Sequence, residues 1–218
     1  MDNSRGTSAR SPTLGQVEWD HLFEDLEGQL AAEWDAERAA LDAESERLRI
    51  AKLTMRDRLL IMAAGSARLS LELSNGERWD CRMRVIGADW IGVCAHSDPR
   101  LRVVPLSAVA AIAVDHGTLL GSLEQTVAPA ADGNTLRERM TLGFVLRDLA
   151  RRRTTVTLAR HGADPQHGTI DRAGADHLDL ALHEAGEPRR ARSVRGFQLI
   201  PFDTVCWVRL DSGGSAAA

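Results

Sequence analysis

Gly87-Ala88-Asp89-Trp90-Ile91-Gly92-Val93 and Gly174-Ala175-Asp176-His177-Leu178-Asp179-Leu180 are two versions of one pattern, set 87 residues apart. The same shift lays Arg68-Leu69-Ser70-Leu71 on Thr155-Val156-Thr157-Leu158, Thr54-Met55 on Thr141-Leu142, and Leu59 on Leu146. Further along, Val104-Pro105-Leu106-Ser107-Ala108-Val109 matches Ile200-Pro201-Phe202-Asp203-Thr204-Val205, now at a shift of 96. The nine extra residues fit a longer loop around Glu184–Gly196. Self-similarity at a fixed period means one structural unit built twice.

The first copy shows what that unit is. Leu69, Leu71 and Leu73 alternate with Ser70 and Glu72, the mark of a half-buried strand. Asn75-Gly76 is a hairpin turn signal. Strands are expected at 79–85, 90–95, 101–104 and 110–114, with Pro105–Val109 suiting one 3₁₀ turn. The second copy gives strands at 154–160, 167–172, 177–183, 197–200 and 205–210. Its leading helix is expected over Leu136–Arg152, opened by Thr135 with Glu138 three residues on.

Between Leu14 and Ala64 the chain holds no Pro, and only Gly15 and Gly28 as glycines. Ala, Glu, Leu and Arg dominate, so a long helix is expected, with a break where Thr54 and Asp57 make a capping pair. Leu22, Phe23, Leu26, Leu30 and Trp34 follow helical spacing, and Trp34, Leu41, Leu48, Met55 and Met62 recur every seven residues. Arg38, Ser45 and Lys52 occupy the companion heptad positions, so the apolar stripe is thin. Such a helix suits leaning on a barrel or on a second chain better than standing alone.

The domain reading is therefore a disordered tail over 1–13, an acidic helical segment over 14–53, a first helix-plus-barrel unit over 54–114, a linker over 115–134, a second unit over 135–211 and a loose tail over 212–218. The fold class is α+β: a long N-terminal helix followed by two small five-stranded barrels.

A helix followed by five short strands, with a 3₁₀ turn before the last, resembles the Sm-like fold of the Sm, LSm and Hfq proteins. The likeness is carried mainly by Gly168-Thr169-Ile170-Asp171-Arg172-Ala173-Gly174-Ala175-Asp176-His177-Leu178-Asp179-Leu180. That stretch is similar to the family's first motif. In the first copy Cys81 replaces the leading Gly, while Gly87, Asp89 and Trp90 keep the pattern. Gly87 and Gly174 are read as turn glycines needing positive φ, and Asp89 and Asp176 as carboxylates bonding turn amides. A PRC-type barrel with its Val-Pro-Leu ending is the rival. The whole chain is also similar to a group of proteins from high-G+C bacteria to which no mechanism is attached. The resemblance implies an RNA-associated protein, as in post-transcriptional regulation, but the family's RNA-reading residues are missing. No Lys-His follows either Val104–Val109 or Ile200–Val205, and the chain has no Tyr and only four Phe for base stacking.

Charge is uneven. Residues 14–55 carry 11 acidic and 4 basic side chains, while residues 140–218 carry 9 acidic and 11 basic. Candidate phosphate contacts are Arg151, Arg152, Arg153 and Arg160, and in the long loop Arg189, Arg190, Arg192 and Arg195. The plainer reading of the first group is a solvated helix end favoured by the helix dipole. Lys52 is the single lysine among 27 basic residues, so the Arg bias reflects composition as well.

His161, His167, His177 and His183 lack a carboxylate or thiol at ligand spacing, so no metal or cofactor is expected. Asp89 and Asp176 have no base or nucleophile placed beside them, and no phosphate loop, catalytic triad or zincin helix is present. The expectation is a non-enzyme. Trp79, Trp90 and Trp207 are expected to pack in cores. Cys81, Cys94 and Cys206 without CxxC spacing, and a start (MDNSRGTSARSP) without an apolar core, point to a cytoplasmic setting without a membrane partner. The partner is RNA or, alternatively, a protein recruited by the acidic helix and the exposed strand edges. Homo-oligomerisation stays open.

Overall fold

The computed structural model describes residues 14–65, 67–124, 135–186 and 190–211. The expected tails at 1–13 and 212–218, and part of the expected linker, lie outside these residues. The chain divides into two compact units, residues 1–53 and 54–218.

The first unit is described by one helix, α1 (Leu14–Lys52). Its sequence is rich in helix formers, and Arg38–Asp35, Arg47–Glu44 and Arg49–Glu46 pair one turn apart along it. Leu22, Phe23, Leu26, Leu30, Trp34, Leu41 and Leu48 are all exposed.

The second unit begins where sequence placed a break. Thr54 caps α2 (Met55–Ala64) in a full capping box with Asp57. Then follow β1 (Arg68–Leu73), β2 (Arg78–Ile86), β3 (Trp90–Ala95), β4 (Asp98–Pro105), a 3₁₀ turn (Leu106–Ala108) and β5 (Val109–Ala113). The expected linker starts instead with a helix, α3 (His116–Glu124). Asp115 bonds the Thr118 amide and hydroxyl at its start, and Arg58 of α2 reaches its Leu119 carbonyl and Ser122 hydroxyl. Two short helices, α4 (Thr135–Arg139) and α5 (Leu142–Arg152), replace the single expected one. The cap of α5 is Thr141, the repeat partner of Thr54, and not Thr135. The chain ends in β6 (Thr155–Arg160), β7 (Ala163–Ala173), β8 (His177–Leu182), β9 (Gly196–Pro201), a second 3₁₀ turn (Phe202–Thr204) and β10 (Val205–Leu210).

The repeat is visible in the register. Leu71 faces Trp79 as Leu158 faces Gln166, and Cys81 faces Ala95 as Gly168 faces Leu182. A bulge falls between Met83 and Val85 and again between Ile170 and Arg172. Trp90 faces Pro105 as His177 faces Pro201. Each copy has its strands in the order fifth-first-second-third-fourth.

The copies are not two separate barrels. They join edge to edge into one antiparallel ten-stranded sheet, β5-β1-β2-β3-β4-β10-β6-β7-β8-β9, which does not close. Alternation says which face of a strand is buried but not which strand lies beside it. Here the last strand of the second copy satisfies the backbone edge of β4, which would otherwise stand unpaired. Two cores follow. One gathers Leu59, Leu69, Leu71, Leu73, Ile91 and Val93, and takes in Ala159, Cys206 and Trp207 from the second copy. The other gathers Leu146, Val156, Leu158, Ile170, Leu178 and Leu180, and takes in Trp90 and Val103 from the first. Val109 is only half-buried because β5 is an outer strand, whereas its counterpart Val205 on the inner β10 is buried.

Gly87 and Gly174 do not have the positive φ expected of them; among the described glycines it belongs to Gly76, Gly162 and Gly186. Close approach explains them instead. A Cβ on Gly87 would lie 2.1 Å from the Trp90 indole, and one on Gly174 would lie 2.6 Å from the His177 ring. Trp90 is locked in a core and His177 is half-exposed. Gly87→Ala is therefore expected to destabilise by about 1–3 kcal/mol, and Gly174→Ala by less than about 1 kcal/mol because the imidazole can swing aside. Urea denaturation of both variants checks this, and equal losses would contradict it.

Candidate assembly interface and arginine clusters

The splice between the copies is the most elaborated polar site among the described residues. β10 meets β4 antiparallel, with Val208 opposite Val103 and Arg209 opposite Arg102. At its end two carboxylates sit among three guanidinium groups. Asp98 accepts from Arg100 Nε at 2.9 Å and from Arg102 at 2.7 Å. Asp211 accepts from Arg209 Nε at 2.8 Å and from the Thr157 hydroxyl at 2.5 Å, and lies 3.5 Å from Arg100. The Arg102 guanidinium lies 5.0 Å from the Trp79 ring centroid, over its face, and Trp207 donates its indole N–H to Glu77 at 2.9 Å. The hydrogen bonds from Arg100 hold the Asp98 carboxyl well below the usual carboxylate range.

A second contact locks the copies. The Gly87–Trp90 turn receives the segment leading into α5. The Ala88 N–H and the Trp90 indole N–H both donate to the Met140 carbonyl, each at 2.9 Å. The Asp89 carboxylate accepts the Leu142 amide at 2.6 Å, so it bonds the other copy's helix start and not the amides of its own turn. Arg56 of α2 bridges the Gly87 carbonyl at 2.7 Å and the Glu138 carbonyl at 3.0 Å. In the second copy the counterpart Asp176 is held by the His177 ring at 2.8 Å.

The candidate arginines divide. Arg151 and Arg152 are exposed at the end of α5, and both pair with one carboxylate, Asp148, at 2.6 and 2.7 Å. Arg153 caps the helix in a left-handed conformation, φ 52°. Arg195 pairs with Glu184, and Arg190 and Arg192 are exposed around the 3₁₀ turn Ala191–Ser193. Arg189 lies outside the described residues. Arg160 leaves the group: it is half-buried at the far end of β6 and bonds Gln166 at 3.2 Å. The register puts Thr155, Thr169, Ala181 and Phe197 in one row across β6, β7, β8 and β9. Three antiparallel steps separate β6 from β9, so the two strands run in opposite directions. Arg153 precedes that row on one side and Arg195 on the other, and the two clusters do not share a strand end.

The histidines of the second copy sit in separate polar contacts. His167 stacks edge-on against His183, with ring centroids 5.2 Å apart, and its Nδ1 lies 3.0 Å from Asp211. Burial pushes the His167 imidazole below its usual value against the pull of Asp211. His161 meets the Ser74 hydroxyl at 3.0 Å. Burial also pushes the Cys81 thiol up to about 12. No group of three or more metal-ligating side chains occurs among the described residues.

Sequence reasoning missed the splice residues. Asp98, Arg100 and Arg102 have no counterparts in the second copy, where Val194, Gly196 and Gln198 stand at the 96-residue shift. That departure from the repeat was the available signal. No family model matches the chain, and neither a curated protein nor a solved structure matches it. Among the described residues no helix is long and apolar enough to cross a membrane.

Proposed function

We propose that the chain is a non-catalytic protein-assembly module, built from two Sm-like units that work through their sheet edges. The observation that carries this reading is the pair of uncovered outer strands. β9 presents Phe197 at 64% and Leu199 at 68% exposure, although it belongs to a unit whose other strands are closely packed. Exposed apolar residues on an open edge are a pairing surface that folded proteins otherwise blunt. The Sm-like assignment is supported by a helix before each set of five strands, the fifth-first-second-third-fourth strand order and the 3₁₀ turn before the last strand. The exposed stripe of α1 with its surplus of carboxylates adds a second surface suited to an amphipathic, basic partner helix.

A photo-crosslinking residue placed at Leu199, and separately at Leu30, tests this reading in cells of the native host. Crosslinks to polypeptide at both positions are expected. Adducts to RNA alone, or no adduct at either position, would overturn it.

A second reading is RNA association through the second unit, favoured by the exposure of Arg151 and Arg152 at the end of α5 and of Arg190 and Arg192 around the 3₁₀ turn. Contacts would be to phosphate, weakly selective and steeply salt-dependent. Removing charge at Arg151, Arg152, Arg153, Arg190 and Arg192 is then expected to weaken binding of every single-stranded RNA alike. Filter binding at two salt concentrations measures it, and binding indifferent to these changes rejects the RNA reading.

A further inference from the structure

The internal splice leaves unused the same two edges that it joins. β4 of the first copy is paired to β10, the fifth strand of the second. What remains open is β5, the fifth strand of the first copy, and β9, the fourth of the second. The 96-residue shift that carries Val109–Ala113 onto Val205–Arg209 also carries Val103 onto Leu199. Val103 is 2% exposed because β10 covers it, and Leu199 is 68% exposed. Val208 is fully buried at the splice, and its counterpart Ile112 is half-buried.

The turn repeats the contrast. Ala88 and Asp89 hold the start of α5, while Ala175 and Asp176 are exposed, the latter with 89% of its side chain free. By the 87-residue shift the segment that would sit on Asp176 is Thr54-Met55, which opens α2. The Met55 amide is one of the first-turn donors that a helix cannot satisfy internally.

We propose that a second copy of this chain docks on β9 through its own β5, with Leu199 opposite the partner's Ile112 and Gln198 opposite the partner's Ala113. The partner's α2 start then seats on the Gly174–His177 turn, its Met55 amide on Asp176. This inference rests on the assembly reading and names the partner at the sheet edge. Beside β5 a cleft of about 570 Å³ is lined by Asp80, His96 and Asp115 with Arg68. Asp115 stands at the position of Asp211, the carboxylate that closes the splice beside β10. Because the two edges differ, the contact is heterologous and propagates head to tail, closing into a ring or running on as a filament.

Native mass spectrometry of the full chain, with sedimentation across the micromolar range, tests the proposal. Masses above one chain are expected, and Leu199→Arg should weaken self-association by about tenfold or more. Its fold should survive, since the residue is exposed. Leu199→Cys and Ile112→Cys chains should form a disulfide when mixed, because paired strands bring Cα atoms within about 4.5–5.5 Å. Phe197→Cys mixed with Ile112→Cys, out of register, should not. A strictly monomeric chain, or an assembly that Leu199→Arg leaves unchanged, or equal crosslinking in and out of register, would overturn it. A monomer whose Leu199 crosslinks to a different protein in the host sinks the self-pairing and leaves the assembly reading standing. RNA adducts alone sink both.

Discussion

Trp90→Ala is expected to lower the unfolding free energy by about 3–5 kcal/mol, the cost of truncating a packed aromatic core residue. The same truncation at its repeat partner, His177→Ala, is expected to stay within about 0.5 kcal/mol. The two residues hold equivalent places on β3 and β8, facing Pro105 and Pro201. Their surroundings differ. Trp90 is 5% exposed and packs into the core of the second copy. Its indole N–H holds the Met140 carbonyl, and its ring lies against the positions of Gly87 and Gly92. Removing it empties a cavity, leaves a carbonyl short of a donor and loosens the α5 start. His177 is half-exposed and bonds only the exposed Asp176. The comparison belongs in the Leu199→Arg background, so that no second chain covers the His177 turn. Urea denaturation reads it directly, and a broadened or two-step transition in Trp90→Ala alone would mark the copies coming apart. Equal losses at the two sites would contradict the splice as the element that couples them.

The repeat made the strands legible because period-2 alternation and the Asn75-Gly76 turn act within one hairpin. Leu69, Leu71 and Leu73 fall on the buried face as alternation demands, and Val156 and Leu158 follow at the 87-residue shift. The register between copies needed information that no local pattern holds. Nothing in Val103 or Val208 distinguishes pairing across copies from closure within one. The cap of α5 was within reach, since Thr141 is the repeat partner of Thr54, but Thr135 with Glu138 made a competing capping pattern nearby. The constraint at the turn glycines Gly87 and Gly174 is steric and not conformational. Their φ was expected to be the constraint, whereas a bulky ring three residues on fills the space a Cβ would need. The arginine groups were found by composition, but the carboxylates that pair with them, Asp148 and Glu184, emerge only from helix phase and loop placement.

Asp98 should be the most sensitive polar residue of the splice. Asp98→Ala removes the carboxylate that Arg102 bonds, and the Arg102 side chain is only 9% exposed between Trp79 and Trp207. A buried cation left without its partner costs about 3–5 kcal/mol, and the exposed side of this site, at Arg100, puts the expectation near 3 kcal/mol. The acid limb of stability carries the same signature. In the folded chain Asp98 stays ionised well below the ordinary carboxylate range, while in the unfolded chain it protonates near about 3.9. Its contribution is therefore complete above that value and drains away as the pH falls further, where the unfolded state binds the extra proton. His167 acts at higher pH. Its neighbours are Asp211, His183, Arg209 and Thr157, and burial holds its imidazole neutral after an unfolded histidine, near about 6.5, has begun to charge. Its contribution is present above that value and fades as the pH drops through it. Denaturation followed from neutral pH downward should thus show an early loss that His167→Gln removes and Asp98→Ala leaves in place. Below about 4 the steep limb should be shallower in Asp98→Ala than in wild type. It should not vanish, since Thr54 holds Asp57 low and Arg151 holds Asp148 low. An Asp98→Ala profile parallel to wild type below that pH would remove Asp98 from the energetics of the splice.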